Sequence, residues 1–149
     1  MDSEIAIPYY KVPLELSSVF QGELLPTCDL QQSIDNNLNL LILTRYKEHR
    51  GNPDFGCEIW DRDFELIVNR GLWEEKLRIS LLKSVTLYET RLSNIEIVVT
   101  ISKVEKNQPF KAVTEVKNKV EIRLNGIIGI TGEKHNYHKN LYLSPLSIE

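Results

Sequence analysis

Two cysteines in 149 residues, Cys28 and Cys57, cannot build a disulfide framework, and both are expected to be free, small, buried or half-buried residues. The chain has no excess of positive charge. Eighteen Lys and Arg stand against 21 Asp and Glu, a net charge of -3, so the broad positive field that nucleic acid or an anionic membrane surface requires is missing. There is no long apolar run either. The densest stretch, Leu38 to Leu43, is interrupted by Asn39 and is far too short to span a bilayer. MDSEIAIPYY is acidic where a secretory leader would be basic, so a cytoplasmic location is expected. No internal repeat or low-complexity segment divides the chain, and its length suits one domain, residues 1–149, with a real core.

What is present falls into three parts. Residues 1–26 carry Pro8, Pro13, Gly22 and Pro26, which predicts an extended or turn-rich arm without an early helix; its apolar residues, Tyr9, Val12, Leu14, Leu16 and Phe20 among them, are expected to lie against the body. Residues 27–92 are predicted helical. Leu30, Ile34, Leu38, Leu41 and Ile42 share one helix face, with Thr27 or Asp29 as cap and an end near Leu43 to Tyr46. A charged exit, Arg45 to Arg50, leads into Asn52-Pro53-Asp54-Phe55-Gly56, a composition suited to a tight turn with Phe55 plugged into the core. A short helix is predicted over Asp61 to Ile67, broken by Gly71. A long amphipathic helix then starts near Leu72, burying Trp73, Leu77, Leu81, Val85 and Tyr88. Residues 93–149 switch to strand periodicity. IEIVVTISKVE, the alternation at Val120, Ile122 and Leu124, and a short last strand at Leu141-Tyr142-Leu143 predict an antiparallel β-meander, with a bulge or bend at Gly126 and Gly129 and a polar turn over Gly132 to Lys139. The expected fold class is α+β, an N-terminal arm and helices packed on a C-terminal antiparallel β-meander.

Catalytic signals are weak. Glu58, Asp61, Asp63 and Glu65 could supply paired carboxylates, but helix-start acids on a solvated face explain them more simply. His135 and His138 have a ligand-like spacing inside what reads as a polar turn, and Gly126, Gly129 and Gly132 precede no helix that could hold a phosphate. Neither a serine nor a cysteine sits in a nucleophile motif. No enzyme, metal or cofactor chemistry is supported. The unusual local feature is a pair of opposite charges, Glu89 and Arg91, at the tip of the long helix. It reads as a docking site for another protein or as an exposed intramolecular ion pair of little value.

Leu41-Ile42-Leu43-Thr44, then Glu48 and Arg50, Pro53-Asp54-Phe55-Gly56, and Glu89-Thr90-Arg91 together resemble the signature of the contractile-tail baseplate wedge family. That family includes a phage wedge protein once called an acidic lysozyme and TssE, the type VI secretion baseplate subunit. Its pattern is a threonine followed by Gly-Glu-Arg, then Pro-Asp-Phe/Tyr-Gly, and Glu-Pro-Arg at the end of the next long helix. Here His49 separates Glu48 from Arg50, the glycine of the first tripeptide is missing, and Thr90 replaces the proline. The resemblance covers residues 34–101 by motif. It implies a structural subunit that contacts other wedge proteins through Glu89, Arg91, Glu48 and Arg50, and offers a sheet edge on which the contractile sheath starts. It leaves two alternatives: a peptidoglycan-cleaving activity suggested by the lysozyme label, and a regulatory module like the bacterial anti-adaptor that the same family reaches.

Overall fold

The period that begins at Leu30 folds as a helix, and side chains set both of its ends. The computed structural model describes residues 9–57, 69–107 and 114–143. Helix α2, Leu30–Leu43, is capped by Asp29, whose Oδ1 accepts from the Gln32 amide at 2.7 Å. It buries Ile34, Leu38, Leu41 and Ile42. Thr44 ends it in an extended conformation, with its hydroxyl donating back to the Leu40 carbonyl at 2.6 Å. Helix α3, Arg70–Tyr88, is capped by Asn69 and buries Trp73, Leu77, Leu81 and Val85. Ser80 and Ser84, which the apolar stripe left out, are buried with them. Gly71 lies in the first turn of α3 and does not precede it. The short helix expected over Asp61 to Ile67, and the acids Glu58, Asp61, Asp63 and Glu65, lie outside the described residues. No helix among the described residues is long and apolar enough to cross a membrane.

Strands β3, Leu92–Asn107, β4, Thr114–Ile128, and β5, Lys134–Leu143, form an antiparallel sheet in the order β3-β4-β5, so the molecule is α+β. One face is apolar and covered by the helices. Its rows are Ile97 opposite Leu124 opposite Tyr137, and Ile101 opposite Val120 opposite Leu141, all buried. The other face carries Val98, Arg123 and His138, exposed. The irregularity expected at the glycines sits on the facing strand. Ser93 pairs with Ile127 but Glu96 with Asn125, so β3 holds one extra residue there, and Asn94 takes a left-handed φ of 49°. Gly126 lies beside this bulge, where a Cβ would come within 3.4 Å of the Ser93 carbonyl oxygen.

Strand β5 starts at Lys134, seven residues before the predicted Leu141. The polar-looking His135-Asn136-Tyr137-His138 alternates in and out: His135 and Tyr137 are buried because α2 satisfies their polar tips. His135 Nε2 lies 2.8 Å from Asp35 Oδ1, and the Tyr137 hydroxyl donates to Asn39 Oδ1 at 2.7 Å. Burial first, and the nearby Asp35 charge second, push the Tyr137 phenol well above its ordinary range and keep it a donor.

Ile101 donates its amide to Glu74 Oε1 at 2.8 Å, so that amide turns away from β4. The antiparallel alternation then directs Val120 and Leu141 toward each other, and the backbone groups of His138, Asn140 and Tyr142 point off the far side of β5. No strand pairs with that edge among the described residues.

The arm departs from expectation twice. It contains a short helix, α1, Leu16–Phe20, between β1, Tyr9–Tyr10, and β2, Thr27–Cys28, which pair antiparallel. It also leaves Val12, Leu14, Leu16, Phe20 and Leu24 exposed, Phe20 by 90% and Leu24 by 94%, while Tyr9 is half-buried. A five-residue helix that buries no side chain has no tertiary packing to draw it onto the body. Cys28 and Cys57 are free thiols, Cys57 buried.

Candidate docking site at the end of α3

The turn between α2 and α3 is built around one glycine. Gly56 takes φ 127°, and a Cβ there would meet the Thr44 carbonyl oxygen at 2.5 Å, a distance that only glycine avoids. The close approach lets Cys57 donate its amide to Thr44 O at 3.0 Å, while Lys47 donates to Pro53 O at 2.8 Å. Phe55 is half-buried, edge-on to Tyr88 with ring centres 5.1 Å apart. The Tyr88 hydroxyl donates to Asn52 Oδ1 at 2.9 Å, and the Ser84 hydroxyl to Gly56 O at 2.8 Å. The Pro-Asp-Phe-Gly turn is thereby fastened to the last turns of α3.

Glu89 closes that helix, its amide donating to Val85 O at 2.8 Å, and its side chain is only 1% exposed. Arg91 binds it as a fork: Nε donates to Oε1 and Nη2 to Oε2, both at 2.7 Å. Asn37 Nδ2 adds a third bond to Oε2 at 2.8 Å and also reaches the Tyr88 carbonyl. The remaining guanidinium nitrogen, Nη1, donates to Ser33 Oγ at 2.8 Å, and the Tyr9 ring lies with its centre 5.6 Å from Arg91 Cζ. Burial by itself would push the Glu89 carboxyl up; the bonds from Arg91 and Asn37, with the Arg91 charge, outweigh it and hold the group below the usual carboxylate range.

This differs from both sequence readings of the pair. Glu89 has its oxygens engaged inside the monomer and is not free to bond a neighbour, and the ion pair is not a surface one. Arg91 keeps 24% of its side chain accessible. Glu48 and Arg50 are exposed on the turn, where Glu48 Oε2 accepts from the Arg45 amide at 2.8 Å. Neither makes a hydrogen bond or ion pair with Glu89 or Arg91 among the described residues. The residues not foreseen as members of the site are Ser33, Asn37 and Tyr9. The signal for the first two was present: they are polar, four apart on one face of α2, and border the buried Ile34 and Leu38.

His135 and His138 do not converge. Three positions apart on a strand, they stand on opposite faces, His138 Nε2 lying 3.3 Å from Glu121 Oε1 in solvent.

The profile of the family described as baseplate wedge protein gp25 matches residues 28–132, from β2 to the turn before β5, a span that includes every element of this site except Tyr9. The chain belongs to the gp25 baseplate wedge family. The chain is also similar in structure to a proposed tail lysozyme from Geobacter sulfurreducens, whose crystal structure aligns with a TM-score of 0.53 over 80% of this chain and 96% of that one. Their sequences are 22% identical, so this likeness speaks for the fold alone. No curated protein matches the chain. For this gp25 family member, a part in the baseplate of a contractile tail follows from the match.

Proposed function

We propose that this protein is a non-enzymatic, cytoplasmic subunit of a contractile injection machine, of the type VI secretion or phage tail kind, that docks onto the proteins of the wedge core and presents a sheet edge from which the contractile sheath starts. It works without a cofactor and without nucleic acid. Family membership with the open edge of β5 carries the reading: outward amide and carbonyl groups on His138, Asn140 and Tyr142 can pair with an incoming strand. Arg91, Glu48 and Arg50 are the residues offered to wedge partners, and Glu89 is the positioning residue that holds the Arg91 fork in place.

The test is reconstitution with the wedge and sheath proteins of a contractile system from the same source. Asn140→Pro removes an edge amide that the β4–β5 ladder does not use, so it should leave the monomer folded and wedge binding intact while weakening sheath recruitment about tenfold or more. Arg50→Glu should weaken wedge binding and spare the sheath step. Unchanged recruitment by the proline variant would overturn the edge assignment. A turbidity assay on cell walls separates the enzyme reading: no lysis above blank is expected, and lysis lost on substitution of Glu58 or Asp61 would overturn the non-enzymatic one.

A further inference from the structure

Helix α3 has a second apolar stripe that the core does not use. Leu72, Ile79 and Leu87 are 53%, 54% and 58% exposed, and Lys76 and Lys83 lie on the same face of the helix. Leu72 and Ile79 are seven residues apart, and so are Lys76 and Lys83, so apolar and cationic side chains alternate along one stripe at the four-three spacing of a coiled-coil seam. The turn carrying Tyr46 and Lys47 stands alongside, making a groove with the stripe from Lys76 to Tyr88. Its floor is polar but self-satisfied: the Tyr46 hydroxyl lies 3.1 Å from Ser80 Oγ and 3.4 Å from Ser84 Oγ. Three lysines, Lys47, Lys76 and Lys83, line it against a single acid, Asp54, in a chain whose net charge is -3. None of the three lysines makes an ion pair among the described residues.

We infer that this groove receives an acidic amphipathic helix from a partner protein. A stripe that recurs every three or four residues matches a helix better than an extended strand, and Lys76 to Leu87, the part lining the groove, spans about 17 Å, three turns of a partner. The lysines, which lie within the stripe, select for acids opposite them on that helix, since a like-charged partner would bring cation against cation. The site is separate from the Arg91 fork and from the β5 edge, and the inference stands without the assembly role proposed above.

The probe is a designed, fluorescein-labelled helix of about 18 residues with Leu and Glu alternating along its seam, compared with the same peptide carrying Lys for Glu, each titrated against the full chain by anisotropy. The acidic peptide should bind saturably and at least about tenfold more tightly than the basic one, with affinity falling as salt rises. The double variant K76E/K83E should reverse the preference, and Ile79→Ala should weaken the acidic peptide about fivefold or more. All three side chains are exposed, so thermal melting should not change. Equal binding of the two peptides, or a preference untouched by K76E/K83E, overturns the proposal. So does self-association of the chain in ultracentrifugation that K76E/K83E abolishes, because the groove would then belong to a second copy.

Discussion

Of the chain's three Glu-x-Arg triplets, the two in the family motif, Glu48-His49-Arg50 and Glu89-Thr90-Arg91, end in opposite environments, while Glu121-Ile122-Arg123 lies on β4. The first lies on an exposed turn, where Glu48 completes a local backbone bond and Arg50 stays in solvent. The second closes a helix against α2, where Asn37 supplies a donor to Glu89 and Ser33 an acceptor to Arg91, which makes burial tolerable. Spacing alone therefore decides neither exposure nor role; the surrounding surface does. The largest expected effect breaks this asymmetry directly. Glu89→Ala strands the Arg91 guanidinium and the Asn37 amide and should cost about 3–5 kcal/mol by urea denaturation, whereas Glu48→Ala should stay within about 0.5 kcal/mol. Equal costs would mean the two triplets are equivalent after all.

The same contrast sharpens with pH. Because the folded Glu89 carboxyl titrates below its ordinary value of 4.5, the pair contributes stability that is present above that value and lost as pH falls through the lower, folded one. Melting temperature should therefore drop on the acid side of 4.5. Glu89→Gln, which cannot titrate, should start less stable at neutral pH and lose less on acidification.

The two histidines of β5 repeat the lesson at smaller scale. His135→Ala removes a buried ring and leaves Asp35 without its partner, and should cost about 1–3 kcal/mol. Tyr137→Phe, one residue pair along the same face, loses only the bond to Asn39 and should cost about 0.5–1.5 kcal/mol. Its raised phenol pKa adds a second readout: the wild-type contribution is intact below the unfolded value of 10.0 and declines as pH rises beyond it, and that alkaline slope should vanish in the phenylalanine variant.

Apolar periodicity was a reliable guide where it was uninterrupted. The core faces of α2, α3, β3 and β4 were readable from Ile34, Leu81, Val99 and Ile122, because a stripe of such residues has one favourable place to go. It failed where burial is carried by polar side chains whose partners lie about a hundred residues away. Nothing near His135 or Tyr137 announces Asp35 or Asn39, so the first half of β5 read as a turn. It failed again in the arm, where Val12, Leu14 and Phe20 have the composition of packed residues and stay more than half exposed. At the candidate site the motif residues were visible, and their burial was not, since it depends on Ser33 and Asn37 arriving from α2.

His138 supplies the smallest effect and the control for the others. It shares residue type and strand with His135, but its ring is 52% accessible and its contact with Glu121 competes with Arg123 and Lys119, which bind the same carboxylate. That carboxyl is held below its ordinary range chiefly by the Arg123 hydrogen bond, with the bond from His138 a lesser cause. Removing the imidazole therefore leaves Glu121 still paired, and His138→Ala should change stability by no more than about 0.5 kcal/mol. A cost matching that of His135→Ala would mean the outer face of the sheet is covered in the folded protein.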